Sequence, residues 1–413
     1  MMIGIDFGTS NTAAAIVQDD GVLHLMALDG GNTAMPTALF FASEDGRTEY
    51  GARAMQAYLQ GTEGRLLRSI KSLLGSQLID EQTVVNGRLV SFFDIVVMFF
   101  TELKARAQTR LGREIDAAML GRPVHFVDDD PRRDALAQAT LERAARAAGF
   151  SQVAFQLEPI AAAFDFEKRV TRDTTALVVD IGGGTSDFTV IELGPQRQHQ
   201  RDRAGDVLAT TGIHLGGTDF DRLLDLAFVM PLLGRGHTGA NGREVPSGIF
   251  FDLSTWHLIH HAYSRKSLHR ARELRDFYAD PRLYRRLLGV LEHRHGHRLL
   301  AQVEAAKIDC SSHNTPAEMD LACIEPALVA QLSPDGMRHA LAQQVAQIVA
   351  CAQQCVAASG ARRIDAVYLT GGSSAFAPLV TALQDTFTQA SIVKGDRFGG
   401  VAAGLAYSGA LWP

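Results

Sequence analysis

Four cysteines in 413 residues are few, and their spacing shows no paired framework, so disulfides do not organise this chain. Cys351 and Cys355 stand four apart on an expected helix, a spacing that suits a core face better than a metal site. No apolar run approaches the ~20 residues needed to cross a bilayer, which argues against a membrane-spanning helix. The first residues read directly as a strand, with no basic n-region or cleavage site, and with the sparse cysteines this leads to the expectation of a reducing cytoplasm. The sequence has no Gly-Lys pair, so a Walker-type P-loop is excluded. An excess of positive charge is also missing: the formal net charge is −6, which argues against bulk nucleic-acid binding.

What is present is an ordinary globular composition, 46% hydrophobic and 21% charged, long enough for roughly three domain-sized units. Its organising stretch is Leu177–Leu193, an apolar strand ending in Asp180, the turn Gly182-Gly183-Gly184, and a second apolar strand opened by Thr185 and Asp187. Three glycines allow close approach of the backbone to a ligand, with N–H groups turned inward as an anion nest. The aspartates would repel a bare phosphate, which suggests a divalent cation between them. Residues 2–17 repeat the pattern 174 residues earlier: strand, Asp6, Gly8, Thr9-Ser10, strand. This is an internal duplication, and two such hairpins can form the two sides of a phosphate site.

The rest of the chain is read in order. Residues 22–60 are expected to be short strands and loops, and Gly64–Gly75 a short amphipathic helix containing Lys71, taken alone a surface lysine. A helix over 91–112 is followed by a strand from Ala117, a helix begun by Asp130-Pro131, and a strand Val153–Leu157 that delivers Glu158-Pro159 to the next helix. Glu158 there is either a charge complementing a helix N-terminus or a carboxylate aimed into a cleft. Gly216-Gly217 precede a helix, a second possible anion-facing turn. Gly234-Arg-Gly-His-Thr-Gly239 matches the dinucleotide fingerprint in letters only, since no βαβ unit surrounds it. Residues 257–300 hold ten Lys and Arg against four Asp and Glu, and half of the 14 histidines. Metal binding by His257, His260 and His261, or by His293, His295 and His297, lacks the usual Cys or carboxylate partners; a solvated helical face or a docking surface for an acidic partner fits better. A helix Ala301–Ile308 carries Glu304 and Lys307, Asp335 is expected to cap a long helix to Ala358, and strand Ile364–Thr370 runs into a third glycine turn, Gly371-Gly372-Ser373.

These glycine motifs, in this order and spacing, resemble the two phosphate motifs and the adenosine motif of the actin-like ATPase superfamily, and within it the nucleotide-binding domain of the DnaK-type heat-shock chaperones. Gly4-Ile-Asp-Phe-Gly-Thr-Ser-Asn11, Ile70-Lys71-Ser-Leu-Leu-Gly75, Glu158-Pro159-Ile-Ala-Ala-Ala163, Asp180–Asp187, His214–Asp221 and Glu304–Ser311 carry the likeness over almost the whole chain, with the short YegD-type proteins nearest. The resemblance implies a two-lobed α/β fold with duplicated ribonuclease-H-like cores: lobe I over 1–172 with an inserted subdomain at about 35–112, lobe II over 173–413 with one at about 218–320, and no substrate-binding domain. It implies a Mg²⁺-dependent ATPase, with K⁺ admitted by the same likeness. Lys71, Glu158, Asp180, Thr185 and Asp187 would be catalytic, and Asp6 and Asp180 would hold Mg²⁺ through water. Gly8, Thr9, Ser10, Asn11, Gly182, Gly183, Gly184 and Thr185, with Gly216, Gly217, Glu304, Lys307, Ser311, Gly371, Gly372, Ser373 and Asp396, would bind ATP or ADP. Lobe closure would signal to an unknown protein client or co-chaperone; no membrane is expected, and nucleic acid is disfavoured. A sugar-type kinase and an actin-like filament protein remain as alternatives. Three departures stand out: Ala375 where the family has an adenine-packing arginine, Asn11 in place of an aromatic, and Thr218 in place of a glutamate.

Overall fold

A computed structural model describes residues 1–127, 130–200, 203–239, 242–256, 258–396 and 399–412. The chain divides into two compact units. The first comprises Met1–Ile213, Cys351–Ser374 and Phe387–Pro413, and the second His214–Ala350 and Ala375–Thr386.

The duplication read from the sequence is a duplication of topology, and the sheets of both copies lie in the first unit. In chain order the first copy is β1 (Met2–Phe7), β2 (Asn11–Val17), β3 (Leu23–Leu25), α1 (Phe92–Leu111), β4 (Ala117–Arg122), α2 (Pro131–Ala147), β5 (Gln152–Leu157) and α3 (Glu158–Glu167). The second begins with β6 (Thr174–Ile181), β7 (Ser186–Leu193) and β8 (Val207–Ile213). After α4 (Gly217–Leu224) and α5 (Gly296–His313) of the second unit come α6 (Pro334–Ser359), β9 (Ala366–Thr370), α7 (Ala377–Thr386), β10 (Ser391–Lys394) and α8 (Gly400–Ala410). The sheets run β5-β4-β1-β2-β3 and β8-β7-β6-β9-β10, each an antiparallel meander continued by two parallel strands. The hairpin registers are the same after the 174-residue offset: Asp6 pairs with Ala13, and Asp180 with Asp187.

Near-continuous apolar strands need cover on both faces. In the first unit α8 packs against β1 and α3, and a core of Met2, Met119, Ile160, Val178, Ile191, Tyr368 and Leu405 draws on both copies. Glycines permit the close crossing. A Cβ at Gly404 would lie 1.9 Å from the Ala161 carbonyl oxygen, and one at Gly4 would lie 2.3 Å from the Ala406 amide nitrogen. A separate small sheet, Ala38–Ala42 between Thr48–Tyr50 and Gly64–Arg68, carries the helix Ala52–Leu59.

Four local expectations change. Gly64–Gly75 is not a helix: Gly64–Arg68 pairs with Ala38–Ala42, and only Ile70–Leu73 turns, as a 3₁₀ segment after Ser69 at φ +56°. The strand partner decides this, since the sequence signal of Leu66-Leu67 fits either period. The helix Ala52–Leu59 was not expected within 22–60. The helix carrying Glu304 and Lys307 is far longer than expected, Gly296–His313. Asp335 lies inside the first turn of α6, while the Ser333 hydroxyl accepts from the Gly336 N–H.

The second unit is mainly helical and buries Asp225 completely. Ser254 Oγ donates to its Oδ2 at 2.6 Å. Burial, against the Ser254 hydrogen bond and with repulsion from Asp221, raises its pKa to about 7. The folded chain therefore keeps this proton to about pH 7, whereas the unfolded chain releases it near 4. Wild-type stability falls through that interval by at most about 1.4 kcal/mol per pH unit. Asp225→Asn should match wild type near pH 4 and exceed it at pH 8, measured as urea midpoints; a pH-independent difference would show that Asp225 is ionised in the fold. Gly404→Ala should destabilise by about 1–3 kcal/mol or more because a backbone oxygen must move. Gly289→Ala, where a Cβ meets nothing within 4 Å, should leave stability unchanged or raise it by up to ~1 kcal/mol.

Candidate functional site

Strand ends and the turns after them carry most of the residues singled out in the sequence. Asp6 lies one residue from the end of β1, Gly8–Ser10 form the turn, and Asn11 opens β2. Asp180 lies one residue from the end of β6, Gly182–Gly184 form the second turn, and Thr185 precedes β7, which carries Asp187. Both turns are tightly held. A Cβ at Gly8 would lie 2.3 Å from the Asn11 carbonyl oxygen, and Gly182 N–H donates to the Thr185 carbonyl at 2.9 Å. Thr37, not singled out in the sequence, fixes the first turn. Its Oγ1 donates to the Gly8 carbonyl at 2.8 Å, and its N–H donates to that of Ser10 at 2.9 Å.

Lys71 and Glu158, 87 residues apart, meet directly: Nζ donates to Oε1 at 2.8 Å, with both side chains about seven-eighths buried. Glu158 is the first residue of α3 with Pro159 behind it, so the carboxylate leaves a rigid helix start. A Cβ at Gly121 would sit 3.1 Å from Glu158 Cγ, so a bare backbone there makes room for it. Phe126, also missed in the sequence, has its ring 6.0 Å from Lys71 Nζ and 5.4 Å from the Arg122 guanidinium.

The charges in this group act on one another. Burial raises the Asp6 pKa to about 7, with Glu158 adding to the rise and Lys71 opposing it. Burial also pushes Asp180 well above the usual carboxylate range, reinforced by Asp187, Glu158 and Asp6. Lys71 is held above its ordinary value although burial works the other way, because Glu158, Asp6 and Asp180 surround it. Directly opposed residues of an antiparallel pair share a face, which brings Asp187 beside Asp180. Thr185 Oγ1 donates to Asp187 Oδ2 at 3.0 Å. The third glycine turn closes on the same carboxylate: Gly371 has φ +85°, and a Cβ there would lie 2.2 Å from Asp180 Oδ1. Ser373 N–H donates to the Ile181 carbonyl at 2.9 Å, and Gly372 stays exposed. A cleft of about 560 Å³, open to solvent, is lined by Glu158, Asp180 and Asp187 together with His125, Thr210 and Gly212.

The oxygen donors and the mutually repelling carboxylates Asp6 and Asp180 fit a hard dication that keeps much of its water. Asp396 is exposed, and its carbonyl accepts from Gly400 N–H at the start of α8.

The second unit holds the remaining candidates. Gly216 precedes α4, and its N–H donates to Asp219 Oδ2 at 3.1 Å, so that donor is already engaged. Lys307 is buried, 2.7 Å from Asp221 Oδ1 and 3.3 Å from the Gly217 carbonyl. Burial raises Asp221 to about 6 despite Lys307. Glu304 is exposed one turn before Lys307. Ser311 Oγ accepts from Ala377 N–H at 2.9 Å, tying α5 to α7. Of the histidines, His257 and the side chain of His260 lie outside the described residues. Among the described residues no cluster of three or more His, Cys, Asp or Glu side chains is placed to hold a metal.

A family model described as Hsp70 protein matches residues 2–231, more than half of the chain. The match contains both hairpins, Lys71, Glu158 and Gly216-Gly217, and stops short of Glu304, Lys307, Ser311, the third glycine turn and Asp396. The copied hairpin registers, the matching strand orders and this family match lead to one conclusion: the chain belongs to the Hsp70 family and has that family's chaperone-type nucleotide-binding ATPase domain, built on an actin-like fold.

Proposed function

We propose that this chain binds ATP with Mg²⁺, hydrolyses the γ-phosphate by in-line attack of water, and uses the nucleotide state to change a surface read by a protein client or co-chaperone. The buried Lys71–Glu158 ion pair carries the reading. A buried cation among Asp6, Glu158, Asp180 and Asp187 is poorly explained by stability, since a buried ion pair seldom outperforms apolar packing. It is well suited to a reaction in which negative charge develops on a phosphoryl group.

The roles follow from what each group can do. Glu158 holds the Lys71 ammonium in place, so the cation meets developing charge without reorganising. Asp187, hydrogen-bonded by Thr185, offers an acceptor for a water at the edge of the cleft. Backbone N–H groups of the turns at Gly8–Asn11 and Gly182–Thr185 would receive the phosphates. Asp6 and Asp180 would hold the hydrated Mg²⁺, which when bound neutralises phosphate charge. Glu304, Lys307, Ser311, Gly216-Gly217, Gly371–Ser373 and Asp396 would serve the nucleoside end. Lobes over 1–172 and 173–413, with insertions at about 35–112 and 218–320, would supply the moving parts, and the cytoplasm the setting.

Lys71→Ala should lower the single-turnover hydrolysis rate by ~10²–10³ while ATP binding is retained. Equal rates for variant and wild type would remove Lys71 from the mechanism. ADP release that appears only with an added sugar or acid would replace this reading with a small-molecule kinase. Pull-downs in ATP and ADP should recover different partners; identical recovery would sink the switch.

A further inference from the structure

We infer that the outer helices of the second unit, Arg265–Glu273 and Pro281–Glu292 with the start of α5, form a docking surface for an acidic protein segment. The inference does not rest on the nucleotide reading, because the surface is defined by charge placed outside the residues discussed above. Residues 257–300 carry a formal +6 in a chain whose total is −6, so the remainder carries −12.

Local ion pairing compensates only part of this charge. Arg272 pairs with Glu292 at 2.9 Å, Arg282 with Asp280 at 3.2 Å and Arg286 with Glu325 at 2.6 Å. Among the described residues, Arg265, Lys266, Arg270, Arg285, Arg294 and Arg298 form no ion pair, and all six are exposed. The two outer helices pack together, with Tyr284 Oη donating to the Arg272 carbonyl at 3.0 Å, so these cations belong to one continuous structure. Their field is felt inside it: burial, His293 and Arg298 together lower the His295 pKa.

Their positions also oppose helix stability. Arg265 and Lys266 begin one helix, Arg282 the next and Arg298 α5, and none of the three has an acidic residue in its first turn. Cations at a helix N-terminus face the positive end of the macrodipole, which is unfavourable. Only the second helix has an acidic cap, Asp280. Folding does not account for Arg265, Lys266 and Arg298 at such positions; binding of an anionic partner does, and Arg is the side chain suited to bidentate carboxylate contacts.

The choice between acidic protein and nucleic acid follows from what surrounds the cations. Tyr263, Tyr278 and Tyr284 have their hydroxyls hydrogen-bonded into the fold, so these rings are committed rather than offered for base stacking. The −12 carried elsewhere repels a polyanion that extends past the patch, whereas a short acidic segment ends within it.

The test is fluorescence anisotropy with a labelled ten-residue oligoglutamate and a labelled ten-nucleotide oligothymidylate, both at low ionic strength, using the full chain. Wild type should bind oligoglutamate, and added salt should weaken the binding. The triple variant Lys266→Glu, Arg270→Glu, Arg285→Glu should lose at least tenfold in affinity with its thermal midpoint retained. If that variant does not fold, the Lys266→Gln, Arg270→Gln, Arg285→Gln chain decides, with a loss of at least threefold expected. Absence of oligoglutamate binding, or unchanged affinity in the folded variant, overturns the surface. Oligothymidylate binding tenfold tighter than oligoglutamate overturns the acidic-protein assignment in favour of nucleic acid.

Discussion

One ammonium surrounded by carboxylates is the constraint on which the first unit depends. Lys71 is held by Glu158 and lies in the field of Asp6 and Asp180, and Asp180 in turn is pressed by Asp187. Burial favours the neutral form of Lys71, Asp6 and Asp180, and the carboxylates around Lys71 keep it charged. A ligand bringing more negative charge fits such a group only together with a cation. The raised Asp6 and Asp180 carboxyls are where one would relieve the repulsion. Rigid supports on every side keep the arrangement in place: a helix start behind Glu158, a threonine under the first turn, and a glycine where the third turn meets Asp180.

The two copies are alike in topology and unlike in chemistry. Their hairpins share one register, yet the position opposite Asp6 is Ala13 and the position opposite Asp180 is Asp187. The second copy thus has an extra carboxylate, with Thr185 bonded to it, and the first has the buried threonine contact between Thr12 and Thr37. Strand pairing tolerates this divergence because it uses the backbone, leaving the side chain at each strand end free to specialise. Duplication therefore supplied two equivalent scaffolds, and single substitutions made one of them the acidic side.

Membership in the Hsp70 family accounts for the core over residues 2–231. Charge is distributed unevenly beyond it. The second unit pairs Lys307 with Asp221 in its interior, while Arg265, Lys266 and Arg270 stand exposed and form no ion pair among the described residues. Buried charges must be compensated within the fold, whereas exposed ones are compensated by water or by a partner, so the outer helices are free to vary in charge where the interior is not.

The sequence alone determined the duplicated hairpins, because strand–glycine–strand patterning is local and an exact 174-residue offset has no other source. It also determined that Asp6, Asp180 and Asp187 sit at strand ends beside glycine turns, since short-range spacing decides which end of a strand a residue occupies. Tertiary structure decided the rest. Lys71 reads as a surface lysine on a helix; a strand partner at Ala38–Ala42 converts that segment to a strand and turn, and Glu158 takes its charge. Thr37, Gly121 and Phe126 carry no signal because their roles are contacts with residues far away in the chain. Gly371 is visible as a turn, but not as the space Asp180 occupies. The difference is physical: periodicity and turn chemistry are properties of a few neighbouring residues, whereas the field at a buried charge is set by everything folded around it.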